Sequence, residues 1–305
     1  MKRIHPLLGI AAVALSLVAL SACEPTDGTG SSSSSDDGTV TIPDSSSAAT
    51  DSAVSDSMAS DESASSDSTS SVAMIDFPHE PATQLISGSG PGYTDLSNWA
   101  PGICFPLAQT PDYANSQVYD PGGDHYPNTA HPSGSQCDTL NYSYPWHDNF
   151  CETRPQWSNV MCSSGGVGHQ GQDIRPTTCK ANTYWAVAVE DGTITQVGSY
   201  TVALTGDDEP HRIFRYLHMQ KSTLKVAVGD HVVRGQKLGL VSNNLGISNG
   251  VQQYTTIHLH FEVRVAQAET LSNGTTIAAN SFVPPYTALV DAYQRKLAGD
   301  CPTVE

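Results

Sequence analysis

Of the 305 residues, 31 are Asp or Glu and 14 are Lys or Arg, giving a formal net charge of -17 at pH 7. With no Lys or Arg between Arg3 and Arg154, the chain lacks the basic face that a polyphosphate partner needs, which excludes nucleic acid. The length allows one or two domains, and composition removes part of the chain from that count.

Residues 1–22 open Met-Lys-Arg, continue through an apolar stretch from Leu7 to Leu20, and close on Leu20-Ser21-Ala22 before Cys23. A basic start, a short apolar core and small residues before a cut describe a secretory signal, and the run is too short to span a bilayer comfortably. Leu-Ser-Ala-Cys resembles the bacterial lipobox. The resemblance implies that Cys23 becomes a lipidated first residue, so that an exported lipoprotein is held to a membrane by its N-terminal lipid. Glu24 follows in place of the aspartate that retains such proteins at the inner membrane, which implies the outer membrane, facing the periplasm, where the source has two membranes.

Residues 23–71 are Ser, Asp, Thr, Gly and Ala with almost no large apolar side chain, and carry ten acidic residues. Such a segment buries too little surface to offset its ordering entropy, so it reads as a disordered, self-repelling tether. Residues 72–164 form a loop-rich segment. Pro78, Pro81, Pro91 and Pro101 interrupt any long period, and turn formers dominate Asp120-Pro121-Gly122-Gly123-Asp124 and His131-Pro132-Ser133-Gly134. His125, His131 and His147 lie in these polar stretches and read as surface groups.

Setting Cys23 aside leaves Cys104, Cys137, Cys151, Cys162, Cys179 and Cys301. An even number in an exported chain implies three disulfides, with Cys151 and Cys162 the natural local pair. A zinc-thiolate cluster competes, but no Cys-x-x-Cys spacing supports it.

After Gly165 the pattern changes, and residues 165–305 read as a domain distinct from the loop-rich segment before it. Tyr184–Val189, Thr193–Val197, Thr201–Leu204, Ile213–Leu217, Val232-Val233 and Lys237–Val241 are short β-prone runs. Turn signals at Asp191-Gly192, Gly206-Asp207-Asp208 and Gly229-Asp230 separate several of them. The expected fold is mainly β, a compact antiparallel sheet or sandwich. One helix is predicted from about Pro285 to Leu297, with apolar side chains at Leu289, Tyr293 and Leu297, ending at Gly299.

The apolar run Ile257-His258-Leu259-His260-Phe261-Glu262-Val263 is the centre of this domain. Read as a strand, it puts His258 and His260 on one face while Leu259, Phe261 and Val263 pack beneath. A second cluster, Gly168-His169-Gln170-Gly171-Gln172-Asp173, spaces a histidine and an aspartate so that both reach one ion. His218 ends a predicted strand in Tyr216-Leu217-His218. Together these supply three groups for zinc and two spare imidazoles, as a catalytic site with an open coordination position requires.

His169-x-Gly171-x-Asp173, Tyr216-x-His218, Gly229-Asp230 before Gly235-Gln236, and His258-Leu259-His260-Phe261-Glu262-Val263 resemble, in order, the signatures of the lysostaphin-type (LytM-like) zinc metallopeptidases. That resemblance covers about residues 165–265. It implies that His169, Asp173 and His260 bind Zn2+, that His218 and His258 serve catalysis, and that the substrate is a peptide cross-link of bacterial peptidoglycan. Glu262 shares the face of the two strand histidines and reads either as a carboxylate orienting an imidazole or as a solvent-facing group. Tyr216 reads as a groove-lining or a buried tyrosine. A non-catalytic wall-binding or regulatory module of the same family is the alternative function. A structural zinc site fits less well, because it would be closed by four protein ligands.

Overall fold

The computed structural model describes residues 74–115, 135–301 and 303–304. The signal segment, Cys23, the whole of the tether, His125 and His131 lie outside the described residues. All described residues belong to one compact unit, Asp67–Glu305.

The strands in chain order are β1 Tyr113–Ala114, β2 Gln172–Arg175, β3 Trp185–Val187, β4 Gly192–Val197, β5 Val202–Gly206, β6 Ile213–Leu217, β7 His231–Val232, β8 Lys237–Leu240, β9 Asn244–Ser248, β10 Val251–Tyr254, β11 Leu259–Arg264, β12 Glu269–Thr270, β13 Thr276–Ile277 and β14 Phe282–Val283. An eight-stranded sheet runs β1-β2-β11-β6-β5-β4-β7, with β14 also paired to β11; β9 with β10, β12 with β13 and β3 with β8 form separate pairs. Every pairing is antiparallel. The fold is mainly β, as the short alternating runs require; β3 to β8 and β11 fall on or within a residue or two of those runs, whereas β1, β2, β9, β10 and β12 to β14 lie outside them.

The sequence reading passes over the β9–β10 hairpin. Its signal is local: Asn249 and Gly250 both have positive φ, 51° and 77°, which is what a two-residue hairpin turn matching the strand twist demands. β11 is shorter than expected and begins at Leu259, so His258 stands immediately before it.

Strand alternation builds the core. Leu259, Phe261 and Val263 of β11 and Phe214 and Tyr216 of β6 are fully buried in one hydrophobic cluster. The segment before the sheet adds to the same cluster through Phe77, Trp99, Ile103, Phe105, Leu107 and Trp146. α1, Tyr286–Leu297, brings Tyr293 against Phe77, Phe105 and Trp146, with ring centroids 4.5–4.8 Å away. Each such pair contributes about 0.5–1.5 kcal/mol beyond its buried area. Pro285 caps the helix start and Gly299, at a φ of 88°, follows its end. The loop-rich segment is thus packed against the sheet by its own aromatic side chains as well as by cystines.

Three disulfides are formed, Cys104–Cys301, Cys137–Cys179 and Cys151–Cys162. The first spans 197 residues of sequence and ties the chain just after α1 to Cys104, between the core residues Ile103 and Phe105. The third is the short local pair, 11 residues apart. Among the described residues no helix is long and apolar enough to cross a membrane.

Candidate metal and catalytic site

β2, β11 and β6 lie side by side, and their register sets Asp173 opposite His260 and His260 opposite Leu217. Alternation turns Leu259, Phe261 and Val263 into the core, so His260 and Glu262 project from the other face. The same row ends at His218, whose φ of 66° breaks β6 just after Leu217. A non-glycine residue in that region costs on the order of 1–3 kcal/mol, and such strain collects at functional sites.

His169 reaches this face from the loop before β2. Gly171 permits the approach: a Cβ there would strike the carbonyl oxygen of Phe261 and lie 2.9 Å from His260 Nε2. Two backbone hydrogen bonds clamp the loop, Cys151 N to His169 O at 3.0 Å and His169 N to Glu152 O at 2.9 Å.

The donor atoms of His169, Asp173 and His260 all lie within 4.8 Å of one another. Asp173 Oδ1 is 2.8 Å from His260 Nδ1 and 3.4 Å from His169 Nε2. The two imidazole nitrogens are themselves 3.0 Å apart. All three residues are buried. Two nitrogens and one carboxylate oxygen aimed at a single point, away from water, form a donor set for a borderline-soft dication such as zinc.

Protonation follows the geometry. Burial holds His169 down to about 4 despite the neighbouring Asp173. Burial also opposes charge on His260, but its hydrogen bonds to Asp173 and Glu262, with their charges, outweigh it and raise its pKa to about 9. Asp173 stays ionised well below the usual carboxylate range: burial acts against this, and the charges of His169 and His258 prevail.

His218 and His258 stand beside this set, ring centroids 4.6 Å apart, and both are buried. His218 Nδ1 donates to the backbone oxygen of Asn244 at 2.9 Å. His258 Nδ1 donates to that of Thr256 at 2.9 Å. A carbonyl only accepts, so in each neutral ring the proton sits on Nδ1 and Nε2 is left as a base. Burial first, then neighbouring imidazoles, holds His218 well below its ordinary value. Burial also lowers His258, against the pull of Asp173. His258 Nε2 lies 3.4 Å from Asp173 Oδ1, the oxygen that faces both His169 and His260.

Glu262 is buried and orients an imidazole: its Oε1 is 3.3 Å from His260 Nε2, while Oε2 takes Arg215 at 2.9 Å and Arg264 at 2.8 Å. Burial would raise its pKa, but these partners hold it at about 2. Tyr216, in contrast, does not line a groove. It faces the core opposite Phe261, fully buried, and its hydroxyl accepts from Val189 N at 3.0 Å. Alternation along β6 decides this, since Tyr216 shares the inward face with Phe214. His147, expected on the surface, is half-buried, and burial lowers its pKa.

Sequence reasoning misses Asn149. It sits in the loop-rich segment, in His147-Asp148-Asn149-Phe150, and its side chain and carbonyl touch two of the three donor residues. No pattern in the sequence marks it. Arg215 and Arg264 are missed too, although Glu262-x-Arg264 on a strand places both residues on one face.

Residues 167–277 match the family model described as peptidase family M23. Among curated protein sequences there is no match. Solved structures similar to this chain include the LytM of Ruminococcus gnavus, 24% identical, covering 41% of this chain and 47% of that one, TM-score 0.32. The catalytic domain of the antimicrobial peptidase lysostaphin from Staphylococcus simulans is 24% identical, covering 43% of this chain and 89% of that one, TM-score 0.27. A zinc-containing peptidase from Vibrio cholerae is 22% identical, covering 43% and 33%, TM-score 0.27. The chain spans about half the length of the first of these.

Proposed function

We propose that the chain, whose residues 167–277 match the model of peptidase family M23, is a zinc-dependent endopeptidase cutting peptide cross-links of bacterial peptidoglycan, held at the cell envelope by a lipidated Cys23. The observation that carries the reading is the pair of buried imidazoles, His218 and His258, each with Nδ1 bonded to a main-chain oxygen and Nε2 turned away from that bond, packed against a buried His-Asp-His donor set. A closed structural site takes four protein ligands and has no use for two adjoining bases.

His169 through Nε2, Asp173 through Oδ1 and His260 through Nδ1 would hold the zinc, with Glu262 fixing the His260 ring from its far nitrogen. Bound there, zinc supplies Lewis acidity that polarises a scissile carbonyl and lets water ionise near neutral pH. His258 and His218 jointly accept the proton at Nε2, pass it to the leaving amine and hydrogen-bond the developing oxyanion. Their Nδ1 bonds to main-chain oxygens fix the tautomer needed for this. Burial keeps both uncharged at neutral pH, so the bases are free where the enzyme works.

Digestion of purified peptidoglycan, followed by analysis of the released muropeptides, tests the activity. Cleaved cross-links are expected, abolished by a zinc chelator and restored by added zinc. A zinc-loaded protein that binds walls but releases no fragment would instead establish a wall-binding module.

The anchor has its own test. Leu20-Ser21-Ala22-Cys23 precedes a segment of disorder-prone composition, so Cys23→Ala should move the protein from the detergent phase into the soluble fraction on phase partitioning. Unchanged partitioning would remove the lipoprotein from the proposal and leave the peptidase untouched.

A further inference from the structure

We infer that Asn149, which lies before the family-matched domain, is a positioning residue for the metal site, and that the Cys151–Cys162 loop holds it there. The inference rests on the reading of His169, Asp173 and His260 as metal ligands. Asn149 is fully buried and makes three contacts to two of those residues. Its Nδ2 donates to Asp173 Oδ2 at 3.0 Å, and its Oδ1 accepts from Asp173 N, also at 3.0 Å. Its backbone oxygen accepts from His169 Nδ1 at 2.9 Å.

Each contact does something different to the donor set. The bond to Oδ2 occupies the outer carboxylate oxygen of Asp173 and directs Oδ1 inward, toward His169 and His260. The bond from Asp173 N ties that side chain to its own strand. The carbonyl forces the His169 proton onto Nδ1, so that Nε2, the atom facing His260, carries the lone pair a cation requires. One residue thus sets a carboxylate's orientation and an imidazole's tautomer.

The disulfide explains why a residue in an irregular loop can do this. Cys151, two positions on, donates its N–H to His169 O, and Asn159, inside the same cystine loop, donates Nδ2 to that oxygen at 2.9 Å. Gly168 closes the contact from the other side: a Cβ there would lie 2.8 Å from Cys162 Sγ and 3.0 Å from Cys151 Cα. The loop and the His169 backbone are in direct register, leaving Asn149 little freedom to swing away.

The test measures zinc affinity of the full chain by competition with a chromophoric chelator, and the visible spectrum of the cobalt-substituted protein, for Asn149→Ala and the gentler Asn149→Ser. Asn141→Ala is the control. It removes an equally buried asparagine of the same segment, one whose side chain, among the described residues, donates to Ser135 O and Gln136 O. Weakening of zinc binding by about 10–100-fold, the usual cost of removing a residue that orients a ligand, is expected at position 149, with an altered cobalt spectrum. Asn141→Ala should lower thermal stability while leaving both readouts at the parent's values. Folded Asn149 variants that match the parent in affinity and spectrum would overturn the inference, as would an equal loss of affinity in Asn141→Ala. A parent that binds no zinc removes the metal-site reading itself, a distinguishable failure.

Discussion

Replacing His169, Asp173 or His260 by alanine is expected to lower zinc content and peptidase activity together, because two remaining donors cannot retain the ion. Replacing His218 or His258 should leave close to one zinc per chain and slow cleavage by about 10²–10⁴-fold, the range for losing a general acid or base. The two classes are separable although all five side chains are buried in one cluster. The donor atoms of the first three converge within 4.8 Å, whereas His218 and His258 are each turned by a backbone carbonyl so that Nδ1 points away. Elemental analysis beside hydrolysis of cross-linked wall peptides checks this. If His258→Ala empties the site while His260→Ala keeps its zinc, the roles within the His-Leu-His pair are exchanged. If all five variants match a parent that cleaves nothing, the peptidase reading fails.

Gly171→Ala should damage the fold and the site at once. The added methyl meets a backbone oxygen of the neighbouring strand and the ring nitrogen of His260, at 2.9 Å for the latter. A backbone atom in the middle of a paired sheet cannot step aside as a flexible side chain can. Overpacking of this kind costs about 3 kcal/mol, equivalent to a melting midpoint lower by roughly 6–12 °C for a domain of this size. Zinc retention should fall as well, since β2 can relieve the clash only by parting from β11, and that pairing is what sets Asp173 opposite His260. Calorimetry with metal analysis reads both effects. A variant as stable and as zinc-replete as the parent would mean that the tight approach at Gly171 is unnecessary.

The β architecture was legible because strand period and turn chemistry act over a few residues. Ile213–Leu217 alternates inward Phe214 and Tyr216 with outward neighbours, and the burial along β6 follows that alternation. The helix was legible for the same reason, with proline at its start, a glycine just past its end and apolar side chains on one stripe. The β9–β10 hairpin was present in the sequence too, in Asn249-Gly250, but its strands carry exposed Leu245, Ile247, Val251 and Tyr254, and a run without a buried face gives no periodic signal. Tyr216, two positions before His218, left a groove-lining and a buried reading open in the sequence, and the pleat of the strand decides for the core.

By itself the sequence determined the β class, the local cystine of Cys151 with Cys162, and the residue types from which a His-Asp-His donor set can be made. These depend on short-range spacing, which the chain carries in any conformation. Only the tertiary structure decided that β2 and β11 pair in the register that brings Asp173 to His260, that Glu262 is buried between two arginines and an imidazole, and that Asn149 reaches Asp173 and His169 from 24 and 20 positions away. Such contacts cost loop-closure entropy that local propensity cannot repay. They exist because the shared core, built from Trp146 and Phe105 as much as from Phe214 and Phe261, holds the separate segments in place.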